Sequence, residues 1–332
     1  MSTLKDVAKL AHCNVSTVSR ALNNTSYVHP ETRARIMEAV KQLGYHPNVL
    51  KKGLQMGKRH TIGVVVPQIQ LSIFGDLLPG IEQEAKKHGY AILISTTRDN
   101  AFTEKEELNR LRNGFIDGMI VAGTGRNNRL IRSIHADGIA ITQIIRENDP
   151  LLGGVYVDYE SIGYTAANYM YSKGCHHIGL INSSHLIIPY RDRMIGYKTA
   201  MKEHDLDPLT IELDTGVHSV QYGYDCALRL IDQEPRLDGI LAGNDAQGIG
   251  VLRALRENGI ACPDEIRVIS MTGYEVGKML ETSLTAVELP AFEIGERACR
   301  MNIEEIERKD PDIWPKPKQV ILDAKIVKRE SC

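Results

Sequence analysis

The chain has 332 residues, 42% apolar and 25% charged, which suits two or three domains of ordinary globular composition. No run of about 18 apolar residues occurs and the N-terminus lacks the apolar core of an export leader, so neither a membrane span nor secretion is expected. Six scattered cysteines (13, 175, 226, 262, 299, 332) without a CxxC pair indicate reduced thiols in a cytosol and no metal site.

The formal net charge of −2 conceals an asymmetry: residues 1–60 hold ten Lys/Arg against three acids, which leaves −9 on the remainder. A basic head on an acidic body suits a nucleic-acid binder; a solvated basic face without a partner is the alternative. Leu4, Val7, Ala8 and Ala11, then Val15, Val18 and Leu22, then Ile36, Val40 and Leu43 recur at helical spacing. They predict three short amphipathic helices around one core. Pro30 opens the third helix and Gly44 follows it, as helix start and stop signals should.

The first two helices are joined by Ala11-His12-Cys13-Asn14, where a helix-turn-helix usually has a glycine. Histidine is among the residues enriched at positive φ, so His12 is expected to take the glycine's place at roughly 1–2 kcal/mol. Asn14 is a favoured N-cap for the second helix. Opposite its apolar stripe that helix carries Ser16, Thr17, Ser19, Arg20 and Asn23. Short hydroxyls allow close approach to a major groove, and Arg20 can fork onto guanine; an idle polar face is the alternative. Residues 45–60 follow, with Lys51, Lys52, Gly53 and Leu54 after Pro47. They make at most a short helix, marginal in isolation. Leu54 is placed to wedge into a minor groove while Lys51 and Lys52 meet phosphates, or the segment is a tether.

The stretches TLKDVAKLA, STVSRALN, VHPETRARI and LGYHPN resemble the DNA-binding head of the lactose/galactose/purine repressor family of bacterial transcription regulators, and the likeness continues through the body. It implies base reading by Val15, Ser16 and Arg20, and backbone contacts by Thr3, Thr17, Ser19, Asn23, His29 and Asn48. Leu54 stands at the intercalating hinge position. The hinge departs from the usual Ala-Arg-x-Leu by Lys51-Lys52-Gly53-Leu54, which adds charge and lowers helix propensity. Stronger salt dependence on DNA is expected.

From Thr61 the pattern becomes α/β: a strand at Ile62–Pro67, a helix at Leu77–His88, a strand at Tyr90–Ser95, a helix at Glu104–Asn113 and a strand at Asp117–Gly123. Apolar strands alternating with helices predict parallel sheets covered on both faces. The plan repeats at Ile178–Ser183 and Asp238–Asn244; Ile62 and Asp117 stand 55 residues apart, Ile178 and Asp238 60. Two such lobes form a cleft at the carboxyl ends of their strands. The expected architecture is a small all-α helix-turn-helix head (1–46), a hinge (47–60) and a bilobal, periplasmic-binding-protein-like α/β body with parallel sheets (61–332). Its lobes take roughly 61–157 plus 290–321, and 158–289, with crossings near 156–161, near 285–291 and late in the chain.

The resemblance implies ligand contacts at Ile73 and Phe74 after the first strand, at Asp158 and Ser161 in VDYESIG, and at Arg193 in RMIGY. It also implies His218, and Asn244-Asp245 after a strand. Asp245 and Asp158 have alternative readings, as a helix cap and as a brace of the crossover. The family's GFDD reads Ser270-Met271-Thr272-Gly273, so a charged acceptor becomes Thr272, and Leu289 replaces a polar position. An altered sugar, a phosphorylated sugar or no small effector all fit.

Gly123-Thr-Gly-Arg is a weak dinucleotide signal without its third glycine. No GxSxG, P-loop or HExxH occurs, and His176-His177, read as a helix end, has no partner at metal spacing. No enzyme and no cofactor is expected. The function expected is a repressor, a homodimer or higher, on a pseudo-palindromic operator and controlled by a sugar-like effector. Alternatives are control by a protein partner, or a small-molecule binding protein without a DNA role.

Overall fold

The computed structural model describes residues 3–23, 26–45, 59–70, 72–113, 116–213, 219–308 and 316–332. The chain divides into two compact units, Met1–Arg59 and His60–Cys332.

The head consists of α1 (Leu4–Leu10), α2 (Val15–Asn23) and α3 (Pro30–Gln42). Val7, Ala8, Ala11, Val18, Ala21, Ile36, Ala39 and Tyr45 close its core, and Arg33 Nη2 donates to the Ala21 carbonyl at 3.0 Å, which ties α3 to the end of α2. His12 does stand at positive φ, +50°, beside the +54° of Gly44 after α3. The two positions make the same cap. His12 N–H reaches Lys9 O and Cys13 N–H reaches Ala8 O; Gly44 N–H reaches Lys41 O and Tyr45 N–H reaches Val40 O. Both are Schellman caps, whose left-handed residue is ordinarily glycine. Asn14 immediately precedes α2, and its carbonyl accepts from Thr17 and Val18.

The body opens with β1 (Thr61–Val66), α4 (Ile73–Lys87), β2 (Ala91–Thr96), α5 (Ala101–Arg112), β3 (Gly118–Val121), α6 (Asn128–Ala136), β4 (Ala140–Ile144) and β5 (Gly153–Val157). It continues with α7 (Tyr159–Ser172), β6 (Ile178–Ile181), α8 (Ile188–Glu203), β7 (Leu209–Ile211), α9 (Val220–Gln233), β8 (Gly239–Ala242), α10 (Asp245–Glu257), β9 (Arg267–Ser270) and β10 (Thr285–Glu288). After α11 (Ala291–Ile306), β11 (Gln319–Leu322) and β12 (Lys325–Val327) follow. One sheet runs β11-β5-β4-β3-β1-β2 and the other β12-β10-β9-β8-β6-β7. Among the described residues all strand pairings are parallel except β10 with β12, so the two halves repeat one plan. The chain passes from one sheet to the other between Val157 and Ile178, between Glu288 and Gln319, and between Leu322 and Lys325.

Two local expectations need correction. The first body helix starts at Ile73, not Leu77, because Ser72 caps it by accepting from Phe74 N–H; Pro79 and two glycines inside it obscure the start. His176-His177 lie beyond α7, which ends at Ser172 ahead of Gly174 with φ +87°, and their N–H groups donate to the Asp238 carboxylate. Helices α7 and α8 cross at glycines. A Cβ on Gly163 would meet Arg193 O at 2.0 Å, and one on Gly196 would meet Glu160 O at 1.9 Å. Only glycine permits so close a backbone approach.

Candidate functional site

In the head, α2 presents Val15, Ser16 and Arg20 exposed, with Thr17 and Ser19 half-buried. The helix has no acid in its first turn, which leaves Arg20 as the charge on this face. Thr3 caps α1: its Oγ1 accepts from Asp6 N–H at 3.3 Å, and the Asp6 carboxylate accepts from Thr3 N and Oγ1, both at 2.7 Å. Those bonds from Thr3 hold the Asp6 carboxyl below its usual range. His29 precedes Pro30, exposed and without a side-chain cap bond. The side chain of Asn23, and Asn48, Lys51, Lys52 and Leu54, lie outside the described residues.

In the body, segments following strands of both sheets converge on a cavity of about 570 Å³. Pro67, Ile69, Ile73 and Phe74 follow β1, Thr96, Arg98 and Asp99 end and follow β2, and Ile145 and Arg146 follow β4. Tyr159 opens α7; Ile187, Tyr190 and Arg193 follow β6; Asn244, Thr272, Tyr274 and Leu289 follow β8, β9 and β10. Carboxyl ends of parallel strands are where such folds bind ligands. An adjoining cavity of about 510 Å³ shares Arg98, Asp99, Arg146 and Ile187 and adds Arg126. Its wall at Thr124–Asn127 is held by buried Glu104, which accepts from Thr124 N–H at 2.7 Å and from Asn127 Nδ2 at 2.5 Å.

Arg193 is 3% exposed. Its Nη1 donates to the Gly243 carbonyl at 2.9 Å, and its guanidinium carbon lies 4.8 Å from the Tyr159 ring centroid and 5.9 Å from that of Tyr190. Its Nε has no acceptor among the described residues. Burial pushes the Tyr159 phenol up to about 12 and also raises those of Tyr190 and Tyr274, so all three stay neutral at pH 7. Each end of the Asn244 amide makes one bond, its Oδ1 accepting from Gln247 N–H at 2.9 Å and its Nδ2 donating to Tyr190 Oη at 2.8 Å.

The residues anticipated from the sequence divide in two. Ile73, Phe74, Arg193, Asn244 and Thr272 line the cavity together. Asp158 and Ser161 are outside its lining: both are exposed, and the Asp158 carboxylate caps α7 by accepting from Ser161 N–H at 3.0 Å. Asp245 lies behind Thr272, fully buried, accepting from Ser270 Oγ at 2.7 Å and Thr272 Oγ1 at 2.5 Å. Burial raises its carboxyl. His218 falls outside the described residues.

Sequence reasoning missed the second buried guanidinium. Arg146 forks onto both Asp99 carboxylate oxygens, one at 3.0 Å, and lies 6.0 Å from the Phe74 ring centroid. Strained backbone places this pair. Ile145 has φ +65°, and Arg146 N–H bonds Ile144 O at 2.6 Å, a γ-turn; Arg98 and Asp99 stand at +53° and +54°. A β-branched residue at positive φ is an outlier, and such strain gathers at functional sites. A charged residue directly after an apolar strand was the available signal.

A helix-turn-helix head and a bilobal body with a lined cleft at its strand ends define a DNA-binding regulator with a ligand-binding-type core. Comparison with known proteins agrees: residues 3–48 match the bacterial regulatory proteins of the lacI family, and residues 167–332 the periplasmic binding protein-like domain. The chain is 30% identical to catabolite control protein A of Staphylococcus epidermidis, over 92% of this chain and 94% of that one. It is 28% identical to the ribose operon repressor of Halalkalibacterium halodurans, over 100% of this chain and 97% of that one. A lac repressor dimer solved with operator and the anti-inducer ONPF superposes with a TM-score of 0.85 at 19% identity, over 99% and 98% of the two chains. The chain belongs to the lacI family of bacterial regulatory proteins; it is a DNA-binding transcription regulator and not an enzyme. Among the described residues no helix is long and apolar enough to cross a membrane.

Proposed function

We propose that this regulator is a repressor whose operator affinity is set by a small sugar-like ligand in the interlobe cleft. The observation that carries the reading is the shared lining: Phe74, Thr96 and Arg146 come from one lobe, Tyr190, Arg193, Asn244 and Thr272 from the other. A ligand that touches both faces favours the closed arrangement, and its differential affinity is what shifts the equilibrium. Aromatic faces with a few placed polar groups suit a sugar-sized polyol. The name of the Halalkalibacterium relative, ribose operon repressor, supports the same class.

On the DNA side, Val15, Ser16 and Arg20 read base edges in a major groove, and Thr3, Thr17, Ser19, Asn23, His29 and Asn48 hold the backbone. Lys51 and Lys52 meet phosphates, and Leu54 enters the minor groove. A pseudo-palindromic operator requires two heads, hence a homodimer. Exposed Leu93 and Ile94 on edge strand β2 and Met279, 77% exposed, support such an interface. The protein acts in the cytoplasm, where its DNA is. Ligand closure turns one lobe on the other and changes the presentation of the hinges.

Arg193→Ala tests the reading. The variant should retain operator binding and lose the ligand response; a response equal to that of the unaltered protein would remove the cleft from the account.

A further inference from the structure

The charge inventory of the cleft selects among sugar-like ligands, an inference that rests on the ligand reading above. The described lining contains three arginines, 98, 146 and 193, and a single carboxylate, Asp99. Arg146 and Asp99 neutralise one another through a two-pronged ion pair. Arg193 has no carboxylate partner among the described residues: Nη1 holds a backbone carbonyl, Nε finds no acceptor, and the rings of Tyr159 and Tyr190 offer faces but no charge. A buried cation without a counter-ion is costly, and partner charge offsets that cost.

The nearby candidates for a counter-ion are otherwise engaged. Asp158 is exposed and caps α7. Asp245 sits behind Thr272 and is taken by two hydroxyls. The Thr272 hydroxyl is itself committed to Asp245, and both ends of the Asn244 amide are bonded. The polar groups of the lining suit the hydroxyls of a sugar, but among the described residues Arg193 is left without the negative charge that a neutral sugar cannot supply.

We infer that the effector is an anion, a sugar-sized molecule bearing a carboxylate or a phosphate that pairs with Arg193, with exposed Arg98 at the mouth of both cavities drawing it in. A guanidinium suits either group, because both offer paired oxygens to its planar fork.

Calorimetric titration of the full-length chain with matched sugars tests this. Glucose, galactose, ribose and xylose are each compared with an acid derivative (uronate or aldonate) and with a phosphate ester of the same sugar. At least one anion should bind ten-fold or more tightly than its neutral parent, and the acid and phosphate arms distinguish the two sources. Arg193→Gln should bring that ratio close to one. Arg98→Gln should weaken the anion several-fold, and by more than it weakens the neutral sugar. A neutral sugar that binds as tightly as its anions would overturn the inference and leave the sugar-effector reading standing. Failure of every probe to bind would overturn both.

Discussion

Replacing Gly163 with alanine perturbs the cleft without altering any side chain that lines it. The new Cβ would lie 2.0 Å from the Arg193 carbonyl oxygen, 2.8 Å from its carbonyl carbon and 2.9 Å from its Cα. These are backbone atoms, so no rotamer change relieves the clash, and α7 and α8 must part by roughly 1 Å or more in an interior that has no slack. Overpacking costs about 1–3 kcal/mol; a backbone clash on one of the body's tightest helix crossings belongs near the upper figure. At about 2–4 °C per kcal/mol for a unit of this size, the body should melt roughly 6–12 °C lower. Parting the helices also draws Tyr159, the first residue of α7, from the Arg193 guanidinium now 4.8 Å from its ring. That contact is worth about 1–2 kcal/mol when desolvated, so ligand affinity should fall about ten-fold. Scanning calorimetry and ligand titration of the full chain measure both. A melting point within 2 °C of the parent, by the scale of about 2–4 °C per kcal/mol, together with unchanged ligand affinity, would refute the reasoning that this crossing positions Arg193.

Other expectations follow from the same structure. His12→Gly removes a left-handed strain of about 1–2 kcal/mol but adds glycine's unfolded-state entropy of about 0.5–1 kcal/mol, so the head should gain at most about 1.5 kcal/mol with operator binding intact. His12→Val should destabilise it, and equal stability of the two variants would contradict the cap. Glu84 on α4 is held at about 2, first by the hydrogen bond from Arg300 on α11 and then, against the cost of burial, by Lys87. A depressed carboxyl contributes stability that is present above its unfolded value near 4.3 and lost as pH falls towards 2. With both partners about half exposed, the contribution is about 1–2 kcal/mol. Denaturant melts at pH 7, 5 and 3 should show a shallower acid loss for Glu84→Gln, and parallel curves would count against the pair. Arg20→Ala should reduce discrimination between operator and random DNA by about 1–3 kcal/mol; equal losses on both DNAs would make Arg20 a phosphate contact instead.

The head was legible because three short helices with apolar residues at helical spacing leave few alternative packings, and the left-handed His12 followed from the missing glycine. The body's sheets were legible for the same reason: β1, β3, β6 and β8 are apolar runs flanked by helices, and the 55- and 60-residue separations mark two copies of one plan. The cleft was only half legible. Ile73, Phe74, Arg193, Asn244 and Thr272 were reachable from motif positions, but Arg146 and Asp99 meet across 47 residues through backbone turned left-handed at Ile145, Arg98 and Asp99. No periodicity reports such turns when the residues are neither Gly nor Asn. Asp158 and Asp245 show the opposite difficulty. A carboxylate after a strand reads the same in sequence whether it faces a cavity, caps a helix or braces two hydroxyls, and the geometry puts one at a cap and the other behind Thr272.

The central claim is that a ligand in the body governs DNA binding by the head. An operator selected from randomised DNA, titrated with full-length protein with and without saturating ligand, tests it most directly. The account predicts a shift in operator Kd of about 5–150-fold, and the same factor in ligand Kd when operator is added, since coupling between two binding sites is reciprocal. A ligand that binds the body tightly and leaves the operator Kd unchanged would contradict it.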